Sequence, residues 1–120
     1  MKIDVLLERY RNLRLTYFRH RKVTPWEKRE KEASVNAFMN DLNAYLLKNH
    51  WTVGNHNGRI RVYQYEKDSS LFLKIKNSID YFGVHSVYLI EIYLIQKRRI
   101  LWDRTLADGE LVFDYLKRMT

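Results

Sequence analysis

Past Asn49 the spacing of apolar residues changes from helical to alternating. That change divides the chain into a helical first part, a sheet and a closing helix. Before it, Ile3, Leu6, Leu7, Tyr10, Leu13, Tyr17 and Phe18 recur at helical spacing, and a helix is expected over about Ile3 to Arg19. Arg21-Lys22-Val23 is the expected connection. Thr24, Pro25 and Glu27 then supply a cap, a residue suited to the first helical position and the acid that closes a capping box. The second helix is expected to run to about Asn49, burying Val35, Phe38, Met39, Leu42, Tyr45 and Leu46.

After the switch, Trp51 to His56 and Arg59 to Glu66 flank Asn57-Gly58, a pair that suits the positive φ angles of a hairpin turn. Lys67-Asp68-Ser69-Ser70 turns the chain into a strand from Leu71 to Asn77, and Asp80 to Gly83 into one from His85 to Gln96. A short fifth strand is expected near Ile100 to Trp102. A last helix over about Leu106 to Met119, capped by Thr105, closes the chain. The expectation is one α+β domain over residues 1–120. Two N-terminal helices, an antiparallel meander of about four strands and a C-terminal helix follow in the order α-α-β-β-β-β-α, with the helices on one face of the sheet.

Charge narrows the classes of partner. The chain carries a net +8, and residues 9 to 31 hold nine Lys and Arg against two Glu. Such a balance favours nucleic acid, an anionic membrane surface or an acidic protein. With no cysteine, disulfides, thiolate metal sites and a cysteine nucleophile are excluded. The first residues carry charge where a signal peptide needs an apolar stretch, and the longest apolar run, Val87 to Ile95, is broken by Glu91. A cytoplasmic protein with no membrane association is the expectation.

The candidate binding residues lie on the strands. Alternation sends Arg59, Arg61, Tyr63 and Tyr65 to one face. On an open sheet, guanidinium groups meet phosphates while rings stack on unpaired bases. Lys74 and Lys76 extend the patch if register places them on that face, and Lys97, Arg98 and Arg99 are candidate phosphate contacts at a strand end. Tyrosine and arginine also suit any solvent-facing strand, and terminal cations protect sheet edges. The basic run Arg9, Arg11, Arg14, Arg19, Arg21 and Lys22 points in several directions around its helix, so it reads as a general electrostatic skirt, with Arg14 an ion-pair or interface residue.

Catalytic signals are few. Glu91 is expected to pair across strands with Arg59 or Arg61. Asp80 with Glu91 resembles the acid pair of restriction-type nucleases, but Tyr93 stands where that family has its lysine, so no metal or catalytic residue is carried over. His20, His50, His56 and His85 show no ligand spacing and no accompanying acid, and no phosphate loop or catalytic triad is present. From Thr24 onward the α-β-β-β-α order resembles the double-stranded-RNA-binding domain in topology, although Ala107-Asp108-Gly109-Glu110 replaces that family's paired lysines. The expectation is a non-enzymatic nucleic-acid- or nucleoprotein-binding protein without cofactors, in the manner of a phage or mobile-element regulator. The alternative is a module docking on an acidic or nucleic-acid-handling protein through Trp26, Trp51 or Trp102. A homodimer follows if the first helix exposes its stripe.

Overall fold

The computed structural model describes residues 2–18, 24–57, 59–82, 85–97, 103–106 and 108–119. Helix α1 (Ile3–Leu13) leads into strand β1 (Leu15–Phe18), and helix α2 (Pro25–Lys48) follows. Strands β2 (Trp51–Asn57), β3 (Ile60–Tyr65), β4 (Leu71–Phe82) and β5 (His85–Lys97) form an antiparallel meander. Strand β6 (Asp103–Leu106) and helix α3 (Gly109–Arg118) complete the chain. The expected α+β order of two helices, four antiparallel strands and a helix therefore stands, with β1 and β6 added to it.

Both additions attach to the same edge of β5. The sheet runs β1-β5-β4-β3-β2, and β6 also pairs with β5. Strand β1 lies against Ser86–Leu89 and β6 against Leu94–Lys97. This corrects the reading of Tyr17 and Phe18 as helix. The Arg14 amide donates to the Tyr10 carbonyl at 2.7 Å, and the Arg14 carbonyl accepts from the Ile90 amide at 2.9 Å. The open edge of β5 thus draws the backbone out of the helix, and the aromatic and β-branched run Leu15-Thr16-Tyr17-Phe18 suits the extended form. The five strands between α2 and α3 also set this topology apart from the α-β-β-β-α order suggested by sequence.

Local chemistry fixes the other boundaries. At the start of α2 the Thr24 hydroxyl accepts from the Glu27 amide at 3.2 Å, and the Glu27 carboxylate accepts from the Thr24 amide at 3.3 Å, so the capping box forms as expected. Helix α3 starts at Gly109, not Leu106. Thr105 is committed to the ladder with Ile95, and the Asp108 carboxylate accepts from the Glu110 and Leu111 amides at 3.0 and 3.3 Å. A β-carbon at Gly109 would collide with the hydroxyl end of the Tyr10 side chain, so glycine permits α1 and α3 to meet there. The β2–β3 hairpin closes at Asn57 and Ile60, one residue later than expected, with the Asn57 side chain accepting from the Arg59 and Ile60 amides at 3.2 and 2.9 Å.

Helix α2 ends at a strained position. His50 has φ 71°, in the left-handed region that favours glycine, while its carbonyl accepts from the Glu66 amide at 2.8 Å. Its exposed imidazole lies 3.7 Å from the Glu66 carboxylate, an acid the sequence reading did not assign to it. An exposed pair of this kind contributes little. His50→Gly is therefore expected to raise the urea midpoint, stabilising the fold by up to about 1 kcal/mol. A lower midpoint would show that the imidazole contact outweighs the backbone strain.

All three helices pack on one face of the sheet, as expected. One cluster joins Leu6 and Tyr10 of α1, Val35, Phe38, Met39, Leu42 and Leu46 of α2, and Val112, Phe113 and Leu116 of α3 to the strand residues Trp51, Tyr63, Tyr65, Leu73, Ile75, Ile90, Ile92 and Leu94. Of the α1 stripe, Leu6 and Tyr10 are buried and Ile3, Leu7 and Leu13 partly so. Arg9 pairs with Asp41 of α2, Arg11 with Glu110 of α3, and Lys117 of α3 with Asp4 at 3.0 Å. Arg9 and Arg11, part of the basic run, thus tie the helices to one another. Among the described residues, no helix is long and apolar enough to cross a membrane.

Candidate nucleic-acid interface

Alternation along β3 holds as expected, but the face it defines is the covered one. Tyr63 is wholly buried and Tyr65 nearly so, beneath the helices. Burial raises the Tyr63 phenol above its ordinary pKa, and it donates to Asn43 Oδ1 on α2 at 2.7 Å. Tyr65 packs on Trp51 with ring centroids 4.9 Å apart. Neither ring is open to stack on a base, which corrects the expectation for both. Arg61 is turned inward as well, donating to the Met39 carbonyl at 3.2 Å and to Asn40 Oδ1 at 3.4 Å. It anchors α2 to the sheet. Arg59 stays exposed at the hairpin.

Lys74 and Lys76 lie on the opposite face. Leu73 and Ile75 are buried beneath the helices, so the lysines between and after them point away. Register sets Lys74 against Val62 on one side and Tyr93 on the other, and Lys76 against Ile60 and Glu91. Phe72 pairs with Ile95 in the same phase. Lys97 joins them, its ammonium 4.9 Å from the centre of the Phe72 ring. Of the nine candidate residues, the fold therefore unites Lys74, Lys76 and Lys97, and separates them from Arg61, Tyr63 and Tyr65. Arg98 and Arg99 lie outside the described residues.

What emerges is a sheet face with two half-buried rings, Phe72 and Tyr93, on adjacent strands and offset by two register positions. Three ammonium groups stand among them, and Ile60, Val62, Leu89 and Ile95 fill the spaces between. Glu91 shares this face and accepts a hydrogen bond from the Tyr93 hydroxyl. Its expected partners stand across β4 from it, Arg59 at the hairpin and Arg61 on β3, and Arg61 faces the other way. Lys76 is its neighbour in register instead.

The phase of this face was available in the sequence. In Leu71-Phe72-Leu73-Lys74-Ile75-Lys76 the two lysines mark the outward positions, and Phe72 shares them. In β5, Glu91 marks the outward phase that Tyr93, Ile95 and Lys97 continue. Arg61 of β3 concealed this, because it lies on the inward face and yet is a cation.

Elsewhere, Trp26 is 63% exposed at the start of α2 while Trp51 is core, so only the first can anchor a partner. Trp102 lies outside the described residues. Among the described residues, no three His, Asp or Glu side chains gather as a metal site would require. Comparison with family models, with curated proteins and with solved structures gives no match to this chain.

Proposed function

We propose that this is a non-enzymatic protein that binds single-stranded nucleic acid on the helix-free face of its sheet. One observation carries the reading: Phe72 and Tyr93 lie on that face among Lys74, Lys76 and Lys97. Stacking on side-chain rings requires bases free of a partner strand, and flanking ammonium groups neutralise the phosphates that join them. The net charge of +8 adds long-range attraction for a polyanion.

Fluorescence anisotropy with short single- and double-stranded oligonucleotides at two salt concentrations tests this. Three lysine–phosphate contacts on a single strand give a slope in log K against log salt of about −2, roughly a twentyfold loss between about 50 and 200 mM. Duplex of the same sequence is expected to bind more weakly. Absence of binding at the lower salt would retire the proposal.

A second reading has support on the same face. Ile60, Val62, Leu89 and Ile95 give it an aliphatic content that a protein partner would cover, and Trp26 offers a separate exposed ring. Such docking on an acidic or nucleic-acid-handling protein would keep most of its affinity as salt rises, the opposite of the phosphate response.

A further inference from the structure

Glu91 is out of place on a surface built to attract phosphate. Among the described strand side chains of the helix-free face it is the one acid, and it stands at the centre of β5 between the positions of Leu89 and Tyr93. A carboxylate there repels the sugar–phosphate chain that the lysines attract. The Tyr93 hydroxyl donates to one of its oxygens. That bond orients the carboxylate beside the ring, and a carboxylate retains acceptor capacity after receiving one donor.

Resting on the nucleic-acid reading above, we infer that Glu91 and Tyr93 together select the base: a base stacked on Tyr93 presents its edge to Glu91, and guanine is preferred. Same-face residues two apart on a strand have Cα atoms about 7 Å apart, so the edge of a ring resting on one reaches the other. The carboxylate is acceptor-only. Guanine is the base whose Watson–Crick edge offers two adjacent donors, N1–H and the N2 amino group, which a carboxylate takes as a parallel pair. Adenine and cytosine each set one donor beside an acceptor, which faces Glu91 with lone pair against lone pair. Thymine and uracil place a single donor between two acceptors. Repulsion of phosphate and recognition of guanine thus come from the same group, and Lys76, opposite in register, offsets the first.

The test uses fluorescent single-stranded DNA of about twelve bases, within the site sizes of single-strand binders: oligo(T), and alternating T–G, T–A and T–C. The wild-type protein is expected to bind T–G about tenfold more tightly than T–A or T–C, the scale of one good two-bond base contact. E91Q replaces one acceptor with a donor and removes the charge. It should bring the three mixed sequences within a few-fold of one another while oligo(T) binds as well as before or better. A misfolded variant could not gain affinity for one oligonucleotide as it loses preference for another. Equal wild-type binding to all four, or a guanine preference that survives E91Q, would overturn this inference and leave the nucleic-acid reading standing. No binding to any of them at low salt would end both.

Discussion

Replacing Phe72 and Tyr93 together by alanine should lower affinity for single-stranded oligonucleotides by about 30-fold or more, with the fold intact. Base–ring stacking contributes roughly 1–3 kcal/mol per base, so two rings together represent a loss of about 30-fold to 10⁴-fold. Both side chains are half-buried on the helix-free face, away from the cluster that holds the sheet to its helices. Their removal therefore opens no cavity in the main core. Melting temperature and circular dichroism should change little, while anisotropy changes greatly. The salt slope supplies an internal control. Lys74, Lys76 and Lys97 remain, so the slope should persist as overall affinity falls. Affinity preserved in the double variant would transfer the binding surface away from β4 and β5, and with it the case for stacking.

The largest stability effect is expected at Trp51. Its side chain is 2% exposed, its ring packs on Tyr65, and it sits where the first strand of the meander passes beneath α2. Trp51→Ala should cost about 3–5 kcal/mol, because the transfer energy of the indole is lost and a cavity remains that rigid neighbours fill only partly. Against a total stability of about 5–15 kcal/mol this is a large share, and it should lower the urea midpoint accordingly. Trp26→Ala is the paired control. At 63% exposure that ring should be worth less than about 0.5 kcal/mol, so similar melting of the two variants would place the core elsewhere.

Features fixed by neighbouring residues were legible in the sequence. The Thr24–Glu27 box, the buried face of α2 and the course of β5 follow from spacings within a few residues. Strand β4, by contrast, runs on to Phe82: Asp80, Tyr81 and Phe82 are expected in a turn, but pairing with Val87, Ser86 and His85 holds them extended. Strand β1 was not legible because its state depends on an edge presented by β5, far along the chain. Tyr17 satisfies a helical spacing with Tyr10 and Leu13 as well as an extended one, and hydrogen bonding to β5 decides between them. The start of α3 was misplaced because Thr105 is a competent cap that the ladder with Ile95 had already claimed.

For the candidate interface, alternation separated the two faces of β3 correctly, but cation content was a poor guide to which face meets solvent. Arg61 can lie inward because its guanidinium reaches α2, donating to the Met39 carbonyl and Asn40. Lysine, with a compact and strongly hydrated ammonium, tolerates such a position less readily. Lys74 and Lys76 were accordingly the better markers of the outward phase, and they lead directly to Phe72 and Tyr93.

The way β1 and β6 clip onto one edge of β5 also orders events in time. During synthesis, Leu15–Phe18 emerges long before Ser86–Leu89, its partner, and must wait as an unpaired segment. When β5 is complete at Lys97, the edge that receives β6 is still bare until Asp103–Leu106 follows. The β1–β5 pairing, distant in sequence, closes late and slows the overall rate, because the intervening loop entropy is lost before the contacts repay it, whereas β6 pairs locally with β5. A chain that has reached Phe18 but not Ser86 thus carries an apolar segment without its partner strand, and in that state it is open to mispairing.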